Sequence, residues 1–145
     1  MRVLALDYGS ARCGCALSDP TGTIVTPLEA VERPATKRGF ARLRELVRSR
    51  EVEIVIVGLP LALDGSDTAQ TRETRAFAQE LSERLGREVA VEMHDERFTT
   101  RMAQRMEPAG TRFKADEDSR AAAHLLTGWL ESRTARAAAA GGEDA

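Results

Sequence analysis

Two short apolar runs, Val3-Leu4-Ala5-Leu6 and Ile54-Val55-Ile56-Val57, constrain this chain more than anything else in it. Neither alternates polar with apolar residues, so neither suits a sheet with one wet face. Continuous runs of this length are strands covered on both sides, at the centre of a sheet flanked by helices. The second run follows a segment, Lys37 to Arg50, in which Phe40, Leu43, Leu46 and Val47 recur at helical spacing. A helix followed by a buried strand is a crossover and implies parallel pairing. Gly58 and Pro60 bound that strand, and a loop follows from Leu61 to Thr68.

The N-terminal third reads differently. Val3 to Tyr8, Arg12 to Leu17 and Thr23 to Val31 are three β-like runs joined by Gly9-Ser10-Ala11 and Asp19-Pro20-Thr21-Gly22. Both connections are tight turns, which predicts an antiparallel meander. Downstream, Phe77, Leu81 and Leu85 mark a helix stopped by Gly86, and Val89 to Met93 forms a further strand. Thr99 or Thr100 can cap a short helix through Met106. The last helix opens at Asp116-Glu117-Asp118 and carries Ala121, Ala122, Leu125, Leu126, Trp129 and Leu130 on one face. The expected class is α/β: a mixed five-stranded sheet, meander plus parallel strands, with helices on its faces.

The 145 residues suit one domain, expected over 1–136, with 137–145 an aperiodic Ala-, Gly- and acid-rich tail expected to lack regular structure. No run approaches the roughly 20 apolar residues of a membrane span. No leader segment is visible before Asp7, and Cys13 and Cys15 alone build no disulfide framework, so a cytoplasmic address is expected. As i and i+2 on a strand the two cysteines share a face and read as small core residues. The net charge of −2 advertises no global affinity for nucleic acid. The cations are nevertheless uneven: 19 of 21 are arginine. Between Arg97 and Lys114 stand five basic residues (Arg97, Arg101, Arg105, Arg112, Lys114) and one acid, Glu107. Arg97, Arg101 and Arg105 fall on one helical stripe, suited to a phosphate backbone, with Thr99 and Thr100 as cap and phosphate contacts.

Three acidic positions could carry chemistry. Asp7 ends a buried strand, where an uncompensated carboxylate costs several kcal/mol; accepting backbone hydrogen bonds from its own turn would suffice for it. Asp95 or Glu96 follows another buried strand, and one of Asp116, Glu117 and Asp118 opens the last helix, where acids oppose the helix dipole. If one from each place converges, their repulsion calls for a hard divalent cation, Mg²⁺ or Mn²⁺.

Four segments in order resemble one family. Leu4-Ala5-Leu6-Asp7-Tyr8-Gly9-Ser10-Ala11-Arg12, Val57-Gly58-Leu59-Pro60 with Asp64-Gly65-Ser66, Asp95-Glu96-Arg97-Phe98-Thr99-Thr100, and Asp118 with Ala121, Ala122, Leu125, Leu126 and Leu130 are similar to the YqgF/RuvX family. The resemblance spans positions 3 to 130. It implies a ribonuclease H-like fold and a divalent-metal-dependent nuclease that processes the pre-16S rRNA end, acts on branched or single-stranded DNA, or does both. It assigns the metal ligands to Asp7, Glu96 and Asp118, with Mg²⁺ as cofactor and Mn²⁺ able to substitute. The chemistry implied is two-metal in-line displacement. It leaves monomer and homodimer both open. The family's usual aliphatic residues are replaced here by Cys13 and Cys15.

Two other functions compete. Asp7-Tyr8-Gly9 and Gly14 also resemble the phosphate loop of the actin and sugar-kinase group, but 145 residues leave no second lobe for adenosine. A non-catalytic RNA-binding ribosome-assembly factor would not need all three acids. Tyr8, beside the site, is a candidate substrate contact.

Overall fold

The computed structural model describes residues 1–95 and 117–143. Its elements are β1 (Val3–Asp7), β2 (Arg12–Ser18), β3 (Val25–Glu32), α1 (Lys37–Ser49), β4 (Ile54–Leu59), α2 (Ala69–Leu85), β5 (Ala90–Asp95) and α3 (Glu117–Glu143). The strands form one sheet in the order β3-β2-β1-β4-β5. β1 pairs antiparallel with β2, and β2 with β3, while β1–β4 and β4–β5 are parallel. The meander, the crossovers and the mixed sheet all follow the expectation.

β1 is central, which is why Val3, Leu4, Ala5 and Leu6 are all fully buried. Its residues alternate between two cores. Leu4, Leu6 and Tyr8 join Cys13, Cys15, Val55 and Val57 under α1 and α2, where Phe40, Leu43, Phe77 and Leu81 meet them. Val3 and Ala5 join Ala16, Val25 and Ile56 under α3, against Ala122, Leu125, Leu126 and Trp129. This is a three-layer α/β/α arrangement, and the period-2 alternation of β1 decides which layer each side chain enters.

The helices start where the sequence supplies caps. Thr36 accepts the Gly39 N–H at 3.1 Å at the head of α1. Thr68 and Thr71 form a reciprocal capping box at the head of α2, and Thr71 also donates to the Pro60 carbonyl at 2.5 Å. That bond ties the helix to the loop leaving β4. α2 stops at Gly86, as expected.

α3 is longer than expected. It continues through residues 137–143, where the sequence analysis predicts a tail without regular structure. Alanine is the strongest helix former, and Ala137 to Ala140 prolong the helix without any apolar periodicity. Among the described residues, no helix is long and apolar enough to cross a membrane.

Candidate active site

Asp7 is the last residue of β1 and is half-buried. By alternation it falls on the face of Val3 and Ala5, the face covered by α3. Its partner across the antiparallel pair is Gly14. A residue with no side chain there leaves the carboxylate uncrowded on that face. The chain then turns sharply: a Cβ at Gly9 would sit 2.7 Å from the Arg12 carbonyl oxygen, so only glycine lets β2 return this closely.

The start of α3 is fastened to the same corner. The β2–β3 register shifts between Cys13 and Cys15, and at this irregularity the Cys15 N–H donates to Ser119 Oγ at 3.2 Å. Ser119 is fully buried. Cys15 pairs with Leu6, the neighbour of Asp7, and Ser119 follows Asp118 in the first turn of α3. The bond therefore brings the segment carrying Asp118 to the end of the strand carrying Asp7, although 104 residues separate its partners in the chain. Ser119 was not among the candidate residues. Its hydroxyl, set beside an acid at a helix start, reads in the sequence only as a local cap.

Asp95 ends β5, in register with Leu59. Met93 packs with the α1/α2 core, and alternation puts Asp95 on that same face, opposite to Asp7. Glu92 and His94 fall on the α3 face. The ring nitrogen Nε2 of His94 is buried with no hydrogen-bond partner among the described residues. Burial holds the His94 imidazole below its usual pKa; Arg136 on α3 adds to this, while Asp95 and Glu92 oppose it. Glu96, Arg97, Thr99, Thr100, Arg101, Arg105, Arg112 and Lys114 lie outside the described residues, as do Asp116 and the short helix expected through Met106.

Tyr8 turns away from this corner. Its ring stacks on Phe77, centroids 4.4 Å apart, and its hydroxyl donates to Glu73 Oε1 at 3.3 Å. Burial pushes its phenol above the usual value, and the Glu73 carboxylate pushes it further. The expected candidate substrate contact is thus a packing residue on the α2 side. Cys13 and Cys15 are free, fully buried thiols in the α1/α2 core. Trp129 projects from α3 into the core against the sheet, with the Arg133 guanidinium 5.2 Å from its ring centroid.

Among the described residues no three His, Cys, Asp or Glu side chains are grouped closely enough to hold a metal ion. What they do offer is a carboxylate at a strand tip, on the sheet face that α3 covers, near the helix start that carries Asp118. Carboxylate oxygens in such a place suit a hard cation such as Mg²⁺ or Mn²⁺ rather than a thiophilic one.

A mixed sheet in this strand order, with a carboxylate ending its central strand and a long helix starting beside it, defines a ribonuclease H-like α/β protein. Solved structures with the same fold include RuvC of Thermus thermophilus in complex with a Holliday junction substrate. It has a TM-score of 0.63 at 17% identity, covering 92% of this chain and 96% of that one. Another is the Fowlpox virus resolvase with Holliday junction DNA, at a TM-score of 0.56 and 12% identity, covering 91% and 98%. The chain belongs to the family described as "RuvX: Holliday junction resolvase", which it matches over residues 1–132. A relative from Mycobacteroides abscessus is 42% identical over 137 residues, 91% of this chain and 82% of the relative. One from Anaeromyxobacter sp. (strain Fw109-5) is 42% identical over 141 residues, 93% of this chain and the whole of the relative. Both bear the name "Putative pre-16S rRNA nuclease".

Proposed function

We propose that the chain is a cytoplasmic, divalent-metal-dependent nuclease that hydrolyses phosphodiester bonds, with the pre-16S rRNA end or a branched DNA as substrate, acting as a monomer or homodimer. The observation that carries this reading is the Cys15–Ser119 bond, which fastens the start of α3 to the strand paired with the end of β1, where Asp7 stands. Family membership supports it independently. Asp7, Glu96 and Asp118 are the proposed ligands. Asp95 falls on the opposite face, which favours its neighbour Glu96 for the role. When bound, Mg²⁺ or Mn²⁺ supplies a hydroxide nucleophile at neutral pH and offsets charge on the leaving oxygen.

The remaining work falls to the chain itself. Asp7, at the tip of a fully buried strand, is a rigid fixed point. Arg97, Arg101, Arg105, Arg112 and Lys114, with Thr99 and Thr100, hold the phosphate backbone and give little base specificity. No histidine is required as general base.

The test is cleavage by Asp7→Asn on a panel of single strands, duplexes, four-way junctions and rRNA precursor, with Mg²⁺, Mn²⁺ or a chelator. Cleavage falls by more than about 100-fold, because groups that merely support metal ligands are already worth about 10–100-fold. Binding in chelator persists, since the backbone contacts remain. Wild-type cleavage by Asp7→Asn overturns the assignment.

A further inference from the structure

A basic groove lies on the other side of the molecule. It opens between α1 and α2, has a volume of about 420 Å³, and is lined by Lys37, Phe40, Arg44, Glu45, Arg48 and Arg84 among others. The lining holds four cations and one carboxylate, and Glu80 just outside it pairs with Arg84, which leaves a positive surplus on a chain whose net charge is −2. All four cations are exposed. Lys37, Arg44 and Arg48 make no ion pair among the described residues.

Arg84 is held differently. Its guanidinium lies 4.5 Å from the Phe40 ring centroid, and its Nε donates to Glu80 Oε2 at 3.0 Å. Stacking fixes the plane and the Nε bond fixes the rotation, so both terminal amino groups stay available at the groove wall. A pre-oriented guanidinium loses less freedom when it takes an anion, and its fork matches phosphate geometry. Lys37, Arg44 and Arg48 extend the positive wall along α1. From Lys37 to Arg48 the helix rises about 16 Å. One strand of a duplex carries a phosphate about every 3.4 Å, so roughly five phosphates fit this length.

We propose that the α1/α2 groove is a second nucleic-acid contact, a phosphate-binding surface that anchors a substrate segment flanking the one to be cut. The assignment rests on the nuclease reading. α1 and α2 cover the sheet face opposite to Asp7, so the groove lies roughly two layers of about 10 Å from the catalytic corner. A strand held there is not cut there. Only a substrate long or folded enough to pass from one face of the sheet to the other meets both places. The groove therefore selects large structured nucleic acid over short oligonucleotides without reading bases.

The experiment is Arg44→Gln with Arg48→Gln, assayed on an oligonucleotide of about six nucleotides and on a folded RNA of about 60, each over a salt series. Glutamine keeps helix propensity, and a thermal melt checks the fold. On the long substrate KM rises about tenfold at low salt with kcat unchanged, and the plot of log affinity against log salt becomes shallower by about 1.5 units for two lost contacts. On the short substrate nothing changes. An equal effect on both substrates, or none on either, overturns the second contact while leaving cleavage at Asp7 intact. A wild-type protein that neither binds nor cuts nucleic acid overturns the nuclease reading together with it. Binding of fluorescent polyglutamate that depends on Arg44 and Arg48, with RNA binding unaffected, assigns the groove to an acidic polypeptide and overturns the proposal.

Discussion

Ser119→Ala tests how the proposed catalytic corner is assembled. The substitution removes one oxygen from a fully buried position, and that oxygen accepts the Cys15 N–H at 3.2 Å. A buried donor that loses its acceptor costs about 1–3 kcal/mol, whereas the methyl left behind fits the space of the hydroxymethyl it replaces. The ordinary net value of such a bond, about 1 kcal/mol, is the lower bound, and the irregular register at Cys13/Cys15 argues for more, because no ladder partner replaces the serine. At this chain length each kcal/mol lowers Tm by roughly 2–4 °C, so a fall of about 2–12 °C is expected. Urea unfolding should show a lower midpoint with an unchanged slope, the sign of lost stability without a changed denatured state. Activity carries the second half of the prediction. With α3 no longer fastened at its first turn, kcat on the cleavable substrate falls by about tenfold or more, since small misplacements of catalytic groups are costly. Ser119→Thr, which restores an acceptor oxygen, recovers part of both losses. A Ser119→Ala protein within 0.5 °C of wild type, cleaving at the wild-type rate, refutes the idea that this bond sets the corner.

Other outcomes follow from the same structure. Cys13→Ala with Cys15→Ala loses stability, on the order of 1 kcal/mol for each buried thiol, and keeps its specific activity; a well-folded double variant that no longer cleaves shows the thiols to have a catalytic part. Arg101→Ala with Arg105→Ala weakens binding equally for unrelated base sequences and makes the salt plot shallower by about one to two units, measured by anisotropy. The folded-state pKa of His94 is depressed, so the unfolded chain takes up its proton first as pH falls through about 6.5. Stability is therefore full above that pH and declines below it, and His94→Gln flattens the decline between pH 7.5 and 5.5 in chemical unfolding.

How far the sequence disclosed all this depends on the range of each interaction. The central strands were legible because Val3 to Leu6 and Ile54 to Val57 are apolar on both faces, a local property. The helix caps at Thr36 and Thr68 are equally local. Period-2 alternation was legible too, and applied to Tyr8 it already separates that residue from Asp7; proximity in sequence suggested a substrate contact, whereas the pleat sends the ring to Phe77. The preference for Glu96 over Asp95 came from the family resemblance; which face Asp95 takes needed the β4–β5 register, which no single segment encodes. Ser119 was hidden for the same reason, its partner lying 104 positions away. The basic groove is assembled from α1 and α2, each of which alone shows only a polar face.

The Cys15–Ser119 bond also has a temporal meaning. A ribosome adds roughly 5–20 residues each second, so the strand bearing Asp7 exists for about 5–20 s before the helix that meets it has been made. Throughout that interval the growing polypeptide holds only part of the proposed metal site. If Asp7 and Asp118 share the proposed site, cleavage waits until the last helix closes the sheet, and the nascent chain spares the RNA around it.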